Sequence, residues 1–243
     1  MKICITGGTG FIGSHCCISL LEAGYDVVII DNLSNSSKDV INRIEDITAK
    51  KVEFFLIDMR DMDALYKFFI EMKGQIACVI HCAALKSIAE SNQIPLDYYE
   101  NNVTGTINLL KAMKVGNCTN LVFSSSASVY GNVETVPITE ECKANTLNPY
   151  ARTKQFMDEI LKDVATSDNS WKIMSLRYFN PVGAHPSGKI GEMPNGIPAN
   201  LMPYMVDVAL GNLDKLTIYG DDYETLDGTC IRDYIHVMDL ANG

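Results

Sequence analysis

The chain of 243 residues is short of basic charge: 20 lysines and arginines stand against 30 acidic residues, a net charge of -10. It therefore lacks the cationic surface that non-specific binding to nucleic acid or anionic membrane requires. No apolar run approaches the length of a membrane span. The opening "MKICITGGTG" reaches glycine too soon to hold a signal-peptide core. The eight cysteines contain no CxxC pair, and the four histidines make no metal-ligand spacing with them. Most of these thiols sit in apolar runs such as "CVIHCAAL", which fits free cysteines in a reducing compartment. Repeats and low-complexity segments are also lacking. What is left, 47% apolar and 21% charged, is an ordinary folded composition. The expectation is a metal-free cytoplasmic protein that binds neither nucleic acid nor membrane.

What is present is an alternation. Apolar runs at 2–6, 26–31, 51–58, 77–84, 120–126 and 172–179 read as strands buried on both faces. Between them lie stretches of helical spacing, "FIGSHCCISLLEAG" ending on Gly24 and "NNVTGTINLLKAMKVG" ending on Gly116. Strand-helix-strand repetition implies right-handed crossovers and a parallel sheet covered on both sides. The expected fold is α/β, a Rossmann-type doubly wound sheet over residues 1–179. After residue 179 prolines and glycines thicken in "NPVGAHPSGKIGEMPNGIPANLMPY". Residues 180–243 read as the start of a smaller, incomplete substrate region, cut short inside a strand-helix unit at "IHVMDLANG".

Ligands gather at the carboxyl ends of the strands in such sheets. "TGGTGFIGSH" follows the first strand and places Gly7, Gly8, Gly10 and Gly13 ahead of a helix. Glycines there permit a tight turn and let backbone N–H groups approach a pyrophosphate. Asp31 ends the next strand, 18 residues beyond Gly13, where a carboxylate accepts from an adenosine ribose diol. It would repel a 2'-phosphate, so NAD is favoured over NADP. Asp58, Lys86 and Asn101 also stand on the cofactor side; each fits a turn or plain surface role equally well.

"SSSASVYG" closes the fifth strand and "NPYARTK" opens the next helix, with Asn148 as cap and Pro149 in the first turn. Taken alone, that is an ordinary helix start. Tyr150 and Lys154, four apart, share a helical face at about 5–6 Å between Cβ atoms. A phenol of ordinary pKa near 10 is too weak a base at neutrality, and a nearby ammonium or helix N-terminus would favour phenolate. Ser126 would orient the hydroxyl that loses its proton. A cofactor turn, a strand-end serine and YxxxK in that order point to Ser126, Tyr150 and Lys154 as acid–base machinery.

These stretches, with "DNLSNS", "LRYFNPVGAHPSG", "IPANLMPY" and "IRDYIHVMDLA", resemble the UDP-glucose 4-epimerases of the extended short-chain dehydrogenase/reductase family over the whole chain. The resemblance implies interconversion of UDP-galactose and UDP-glucose through transient oxidation at C4, with NAD held and not consumed. It implies NAD contacts at Gly7, Gly10, Phe11, Ile12, Gly13, Asp31, Asn32, Asn35, Ser36, Asp58, Met59, Cys82, Ala83, Lys86, Asn101, Tyr150, Lys154 and Phe179. UDP-sugar contacts are implied at Ser126, Tyr178, Asn180, Asn200, Leu201, Tyr219 and Arg232, the last as the cation for a diphosphate. Many members are homodimers built through helices, so a homodimer is the implied assembly. Cys82 and Ala84 depart from the Phe and Gly usual in bacterial members. Dehydratase relatives carry an acidic pair after the fifth strand; here Ala127 and Ser128 stand there. An NAD-binding piece without turnover is the alternative from outside the enzymes.

Overall fold

The computed structural model describes residues 1–133, 136–196 and 198–243. Six parallel strands form one sheet: β1 (Lys2–Thr6), β2 (Asp26–Asp31), β3 (Glu53–Leu56), β4 (Ile76–His81), β5 (Asn120–Ser126) and β6 (Lys172–Tyr178). Their order across the sheet is β3-β2-β1-β4-β5-β6. This is the doubly wound arrangement, with its switch point between β1 and β4. The expected bounds of β1, β2 and β5 agree with the structure; β3, β4 and β6 are shorter than their apolar runs.

The expectation of strands buried on both faces fails at the two edges. β3 and β6 are half exposed, with Leu56 and Met174 open to solvent, whereas β2 is buried from Val27 to Asp31. An edge strand has a neighbour on one side only, and Phe, Leu and Met serve there as cover rather than core.

The crossovers are α1 (Phe11–Glu22), α2 (Asp39–Thr48), α3 (Met62–Glu71), then α4 (Ile88–Gln93), α5 (Pro95–Tyr99) and α6 (Gly105–Val115), and finally α7 (Pro149–Ser167). The helix expected over 101–116 is interrupted: Glu100–Thr104 forms one wide π-helical turn before α6 begins. Gly105, where α6 begins, lets the backbone approach Met59: a Cβ there would lie 2.9 Å from Cβ of Met59. One apolar cluster lies under α3, α6 and α7, with Phe69, Leu109 and Met157 at its centre. A second packs α1 and α2 on β1 and β2 through Ile5, Ile18 and Ile44.

Beyond the sheet, β7 (Asn180–Val182) pairs in parallel with β8 (Tyr234–His236). Between them lies α8 (Leu201–Ala209), and after them α9 (Val237–Asn242) packs back onto α1, where Ser19 Oγ donates to Asn242 Oδ1 at 2.6 Å. No helix among the described residues is long and apolar enough to cross a membrane.

Candidate functional site

The turn after β1 is shaped by close backbone approach. Gly7 has φ +70°, and a Cβ there would meet the Ala83 nitrogen at 2.6 Å. A Cβ on Gly13 would fall 2.2 Å from the Gly7 oxygen. Only glycine fits either place. Gly10 caps α1 without any side-chain bond, so the N–H groups of Phe11, Ile12 and Gly13 face outward at the positive end of the helix. A cradle that a single methyl would fill, ending in an uncapped helix, fits a dinucleotide pyrophosphate.

Asp31 stands at the end of β2, buried, and ties three segments together. Its Oδ2 accepts from Thr9 N at 3.1 Å, and its Oδ1 from Leu33 N at 2.8 Å and Ser36 Oγ at 3.3 Å. Asn32 Nδ2 donates to Asp58 Oδ2 at 2.8 Å, and Arg60 grips the same carboxylate through Nε and Nη2 at 2.9 and 2.8 Å. Arg60, outweighing desolvation, holds the Asp58 carboxyl far below the usual range. Met59 is buried beneath this turn, against Gly105.

At the end of β4, Ser124 Oγ donates to Cys82 Sγ at 3.4 Å. Cys16 on α1 hydrogen-bonds the same sulfur, so Cys82 is the thiol of the pair drawn downward and Cys16 is raised. Ala83 packs on Gly7. Asn101 Nδ2 donates to its neighbour Asn102 Oδ1 at 2.9 Å.

Ser126 ends β5, and its Oγ accepts from Ser128 N at 3.2 Å and Ser128 Oγ at 2.9 Å. Asn148 caps α7 by accepting from Ala151 N at 2.8 Å, with Pro149 at the first turn, so the helix starts as its sequence predicts. That start turns Tyr150 toward Ser126. Burial holds the Tyr150 phenol above its ordinary value, and the Ser126 hydroxyl acts against that rise. The expected lowering by Lys154 is absent for a geometric reason. Lys154 Nζ, buried, donates to the Ser124 carbonyl oxygen at 2.6 Å and lies 4.9 Å over the Phe123 ring. Burial draws the lysine itself down to about 8, with Cys82 and Asp158 countering.

Two groups escaped the sequence reading. Asn102, buried in the π-helical turn, accepts from Leu85 N at 2.8 Å and donates to Leu85 O at 2.9 Å and Thr153 Oγ1 at 3.1 Å. It thereby joins the loop after β4 to α7, one residue from Lys154. His81 lies below, with Thr6 Oγ1 2.5 Å from Nδ1 and Thr106 Oγ1 2.8 Å from Nε2. Thr106 gives its one proton to Asn102 O at 2.7 Å, so His81 carries its proton on Nε2 and accepts from Thr6. A polar residue inside an apolar stretch, helical for Asn102 and a strand for His81, was the available signal.

The residues expected on the substrate side are less closely gathered. Tyr178 pairs with Ser126 across β5 and β6, its phenol raised by burial. Phe179 follows, partly exposed, and Asn180 Nδ2 donates to Asp233 O at 2.7 Å, which sets it beside Arg232. Asn200 precedes α8 and Leu201 opens it, exposed, while Tyr219 lies 84% exposed in the irregular stretch before β8. A cavity of about 680 Å³ opens between Thr9, Phe11 and Ser36 on one side and Glu192, Met202 and Val206 on the other. Ser126, Tyr150 and Lys154 lie outside its lining.

The profile of the NAD dependent epimerase/dehydratase family matches residues 3–243. A UDP-glucose 4-epimerase of Bacillus subtilis is 54% identical over 243 residues, covering 100% of this chain and 71% of its own. One from Dictyostelium discoideum is 54% identical over 242 residues, covering 100% and 70%. Among solved structures, a UDP-glucose 4-epimerase of Stenotrophomonas maltophila, with bound NAD and formylated UDP-arabinopyranose, superposes with TM-score 0.95 at 47% identity, covering 100% of this chain and 71% of its own. The Bifidobacterium longum enzyme, in complex with NAD+ and UDP, gives TM-score 0.95 at 51% identity, covering 99% and 72%. An uncapped helix behind a glycine cradle, a buried acid at the end of β2 and a match across nearly every residue lead to one conclusion: the chain belongs to the NAD dependent epimerase/dehydratase family.

Proposed function

We propose that the protein interconverts UDP-galactose and UDP-glucose, using Tyr150 as the acid–base at the sugar 4'-hydroxyl. The observation that carries this is the meeting of Ser126 and Tyr150 at the carboxyl edge of the sheet, with Lys154, one turn along α7, tied to Ser124 of the same strand. NAD in the cradle supplies a reversible two-electron oxidant for C4' of the hexose. Gly7, Gly10, Phe11, Ile12 and Gly13 would hold its pyrophosphate, Asp31, Asn32, Asn35 and Ser36 its adenosine end, and Met59 with Asp58 the adenine side. Cys82, Ala83, Lys86, Asn101, Tyr150, Lys154 and Phe179 would flank the nicotinamide end.

Tyr150 takes the 4'-hydroxyl proton on one face of the sugar and returns it to the oxygen on the other. Ser126 orients that oxygen. The Lys154 charge, held on Ser124, would favour phenolate together with a second cationic group nearby. Tyr178, Asn180, Asn200, Leu201, Tyr219 and Arg232 would hold the UDP-sugar, so that residues 1–179 would serve mainly the cofactor and 180–243 mainly the substrate. The turn after β5 (Ala127–Tyr130) offers no carboxylic acid, which speaks against elimination of water from the sugar.

A homodimer through α5 and α7 accompanies this reading. Leu96 there is 79% exposed, and Tyr99 stacks on the partly exposed Phe156 at 6.0 Å between ring centroids.

The test is incubation with UDP-galactose and NAD without added reductant, with the nucleotide sugars separated by chromatography. UDP-glucose should accumulate to a fixed ratio with no net NADH. Net oxidation, or a 4-keto-6-deoxy product, rejects the proposal.

A further inference from the structure

Residues 184–196 leave β7, fold back on themselves and cross the cofactor cleft. The fold-back is short: His185 N donates to Ile190 O at 2.9 Å, and Ala184 pairs with Gly191. Ile190 anchors it, buried in the α1–α2 cluster. Arg43 Nη1 donates to Lys189 O at 3.3 Å, and Lys189 Nζ lies 3.5 Å from Asp46 Oδ2, fixing it to α2. Asn195 then ties to the loop after β2, its N donating to Asn35 Oδ1 at 3.0 Å and its Nδ2 to Ser34 O at 3.3 Å. Glu192 ties to the loop after β4, its Oε1 accepting from Lys86 Nζ at 2.5 Å. β1 lies between β2 and β4 in the sheet, so a segment joined to both of their loops passes over the glycine turn that follows β1.

Glu192 is the unusual member of this strap. Its side chain is 8% exposed, and the oxygen that accepts from Lys86 also accepts from Asn200 Nδ2 at 2.6 Å. A carboxylate that enclosed needs its partners, because removing one side of a buried pair leaves the other uncompensated. Lys86 belongs to the proposed nicotinamide side and Asn200 to the proposed nucleotide-sugar side. One oxygen thus holds a cation from one side of the proposed site and an amide from the other.

We infer that Glu192 is a positioning residue that couples cofactor retention to nucleotide-sugar binding, through Lys86 on one arm and Asn200 on the other. The inference rests on the proposed NAD and UDP-sugar reading. The two arms are chemically separable. Glutamine keeps an oxygen for Asn200 and removes the charge that pairs with Lys86; alanine removes both.

The experiment uses the full chain, loaded with NAD and freed of excess, with two readouts: the rate of NAD release after dilution, and the affinity for UDP by calorimetry. Glu192→Ala should release NAD faster by on the order of tenfold and bind UDP more weakly by several fold. Glu192→Gln should speed NAD release while leaving UDP affinity within about twofold of the parent. In a Lys86→Met background, Glu192→Gln should add less than about a further twofold to NAD release, since its partner is already gone. A residue that only supports the fold would move both readouts together in both variants. Parent-like NAD release from Glu192→Ala, or equal loss of UDP affinity in the two variants, overturns the coupling. A parent chain that retains neither NAD nor UDP overturns the functional reading, and the coupling with it.

Discussion

Lys154 reaches across from α7 to donate to the main-chain oxygen of Ser124 on β5, two residues before Ser126, at 2.6 Å. The ammonium is therefore held by the main chain of β5. The helix and strand that carry Tyr150 and Ser126 are clamped to each other by this bond.

That placement has a measurable alkaline signature. Burial lowers the lysine from 10.5 to about 8, so between those pH values the unfolded chain binds a proton that the folded chain has released. Stability contributed through this group rises with pH across that window, by an amount of about 3 kcal/mol at most. Denaturant unfolding of the parent and of Lys154→Met should diverge from pH 8 to 10.5 in favour of the parent. A difference that stays flat with pH would falsify the assignment.

His81 supplies the acid side. Burial, then the charge of Lys154, lowers its imidazole from 6.5 to about 3. As pH falls from 6.5 toward 3 the unfolded chain gains a proton that the folded chain refuses, and stability falls by on the order of a few kcal/mol. His81→Gln keeps polar atoms near Thr6 and Thr106 but has nothing to protonate. Its acid unfolding curve should be shallower than the parent's, and identical curves would remove His81 from the account.

Tyr150→Phe deletes the phenol alone. Turnover of UDP-galactose should fall by at least about 10²–10⁴-fold, the range for loss of a general acid–base group. NAD content and far-UV circular dichroism should stay at parent values. Retained turnover would move the proton chemistry elsewhere.

The glycine turn can be tested by contrast. Gly13→Ala places a methyl 2.2 Å from the Gly7 oxygen, so backbone must move. The expected cost is about 1–3 kcal/mol, with loss of NAD retention. Gly24→Ala meets nothing within 4 Å and suffers only from its φ of +92°. It should lose about 1–2 kcal/mol and keep NAD. Equal NAD retention in the two variants would show that the cradle is not where the cofactor sits.

Leu96→Glu puts a charge on the proposed dimer face while leaving the core untouched, since the side chain is already exposed. Sedimentation should show the parent as a dimer and the variant shifted toward monomer. A parent that sediments as a monomer at micromolar concentration ends the dimer reading.

Much of this protein was legible locally. Two-face apolar runs specified β1 and β2, a capping Asn with Pro specified the start of α7, and four glycines after a strand specified a tight turn into α1. Each is a statement about neighbours within one or two turns, where backbone geometry is set by the residues themselves. The edge strands were misjudged because Phe, Leu and Met look alike in a core and on a rim; only sheet order distinguishes the two.

What the tertiary structure alone decided is which polar atoms meet across long stretches of chain. Asn102 bonds Thr153 over 51 residues, Glu192 bonds Lys86 over 106, and Thr6 bonds His81 over 75. No periodicity encodes such pairs. They exist because the sheet brings distant strand ends to one edge, where buried polar groups must find partners or carry the cost of leaving water. The sequence by itself determined a glycine turn and a Tyr–Lys helix start; the packed sheet determined that Lys154 holds Ser124 and that Glu192 joins Lys86 to Asn200.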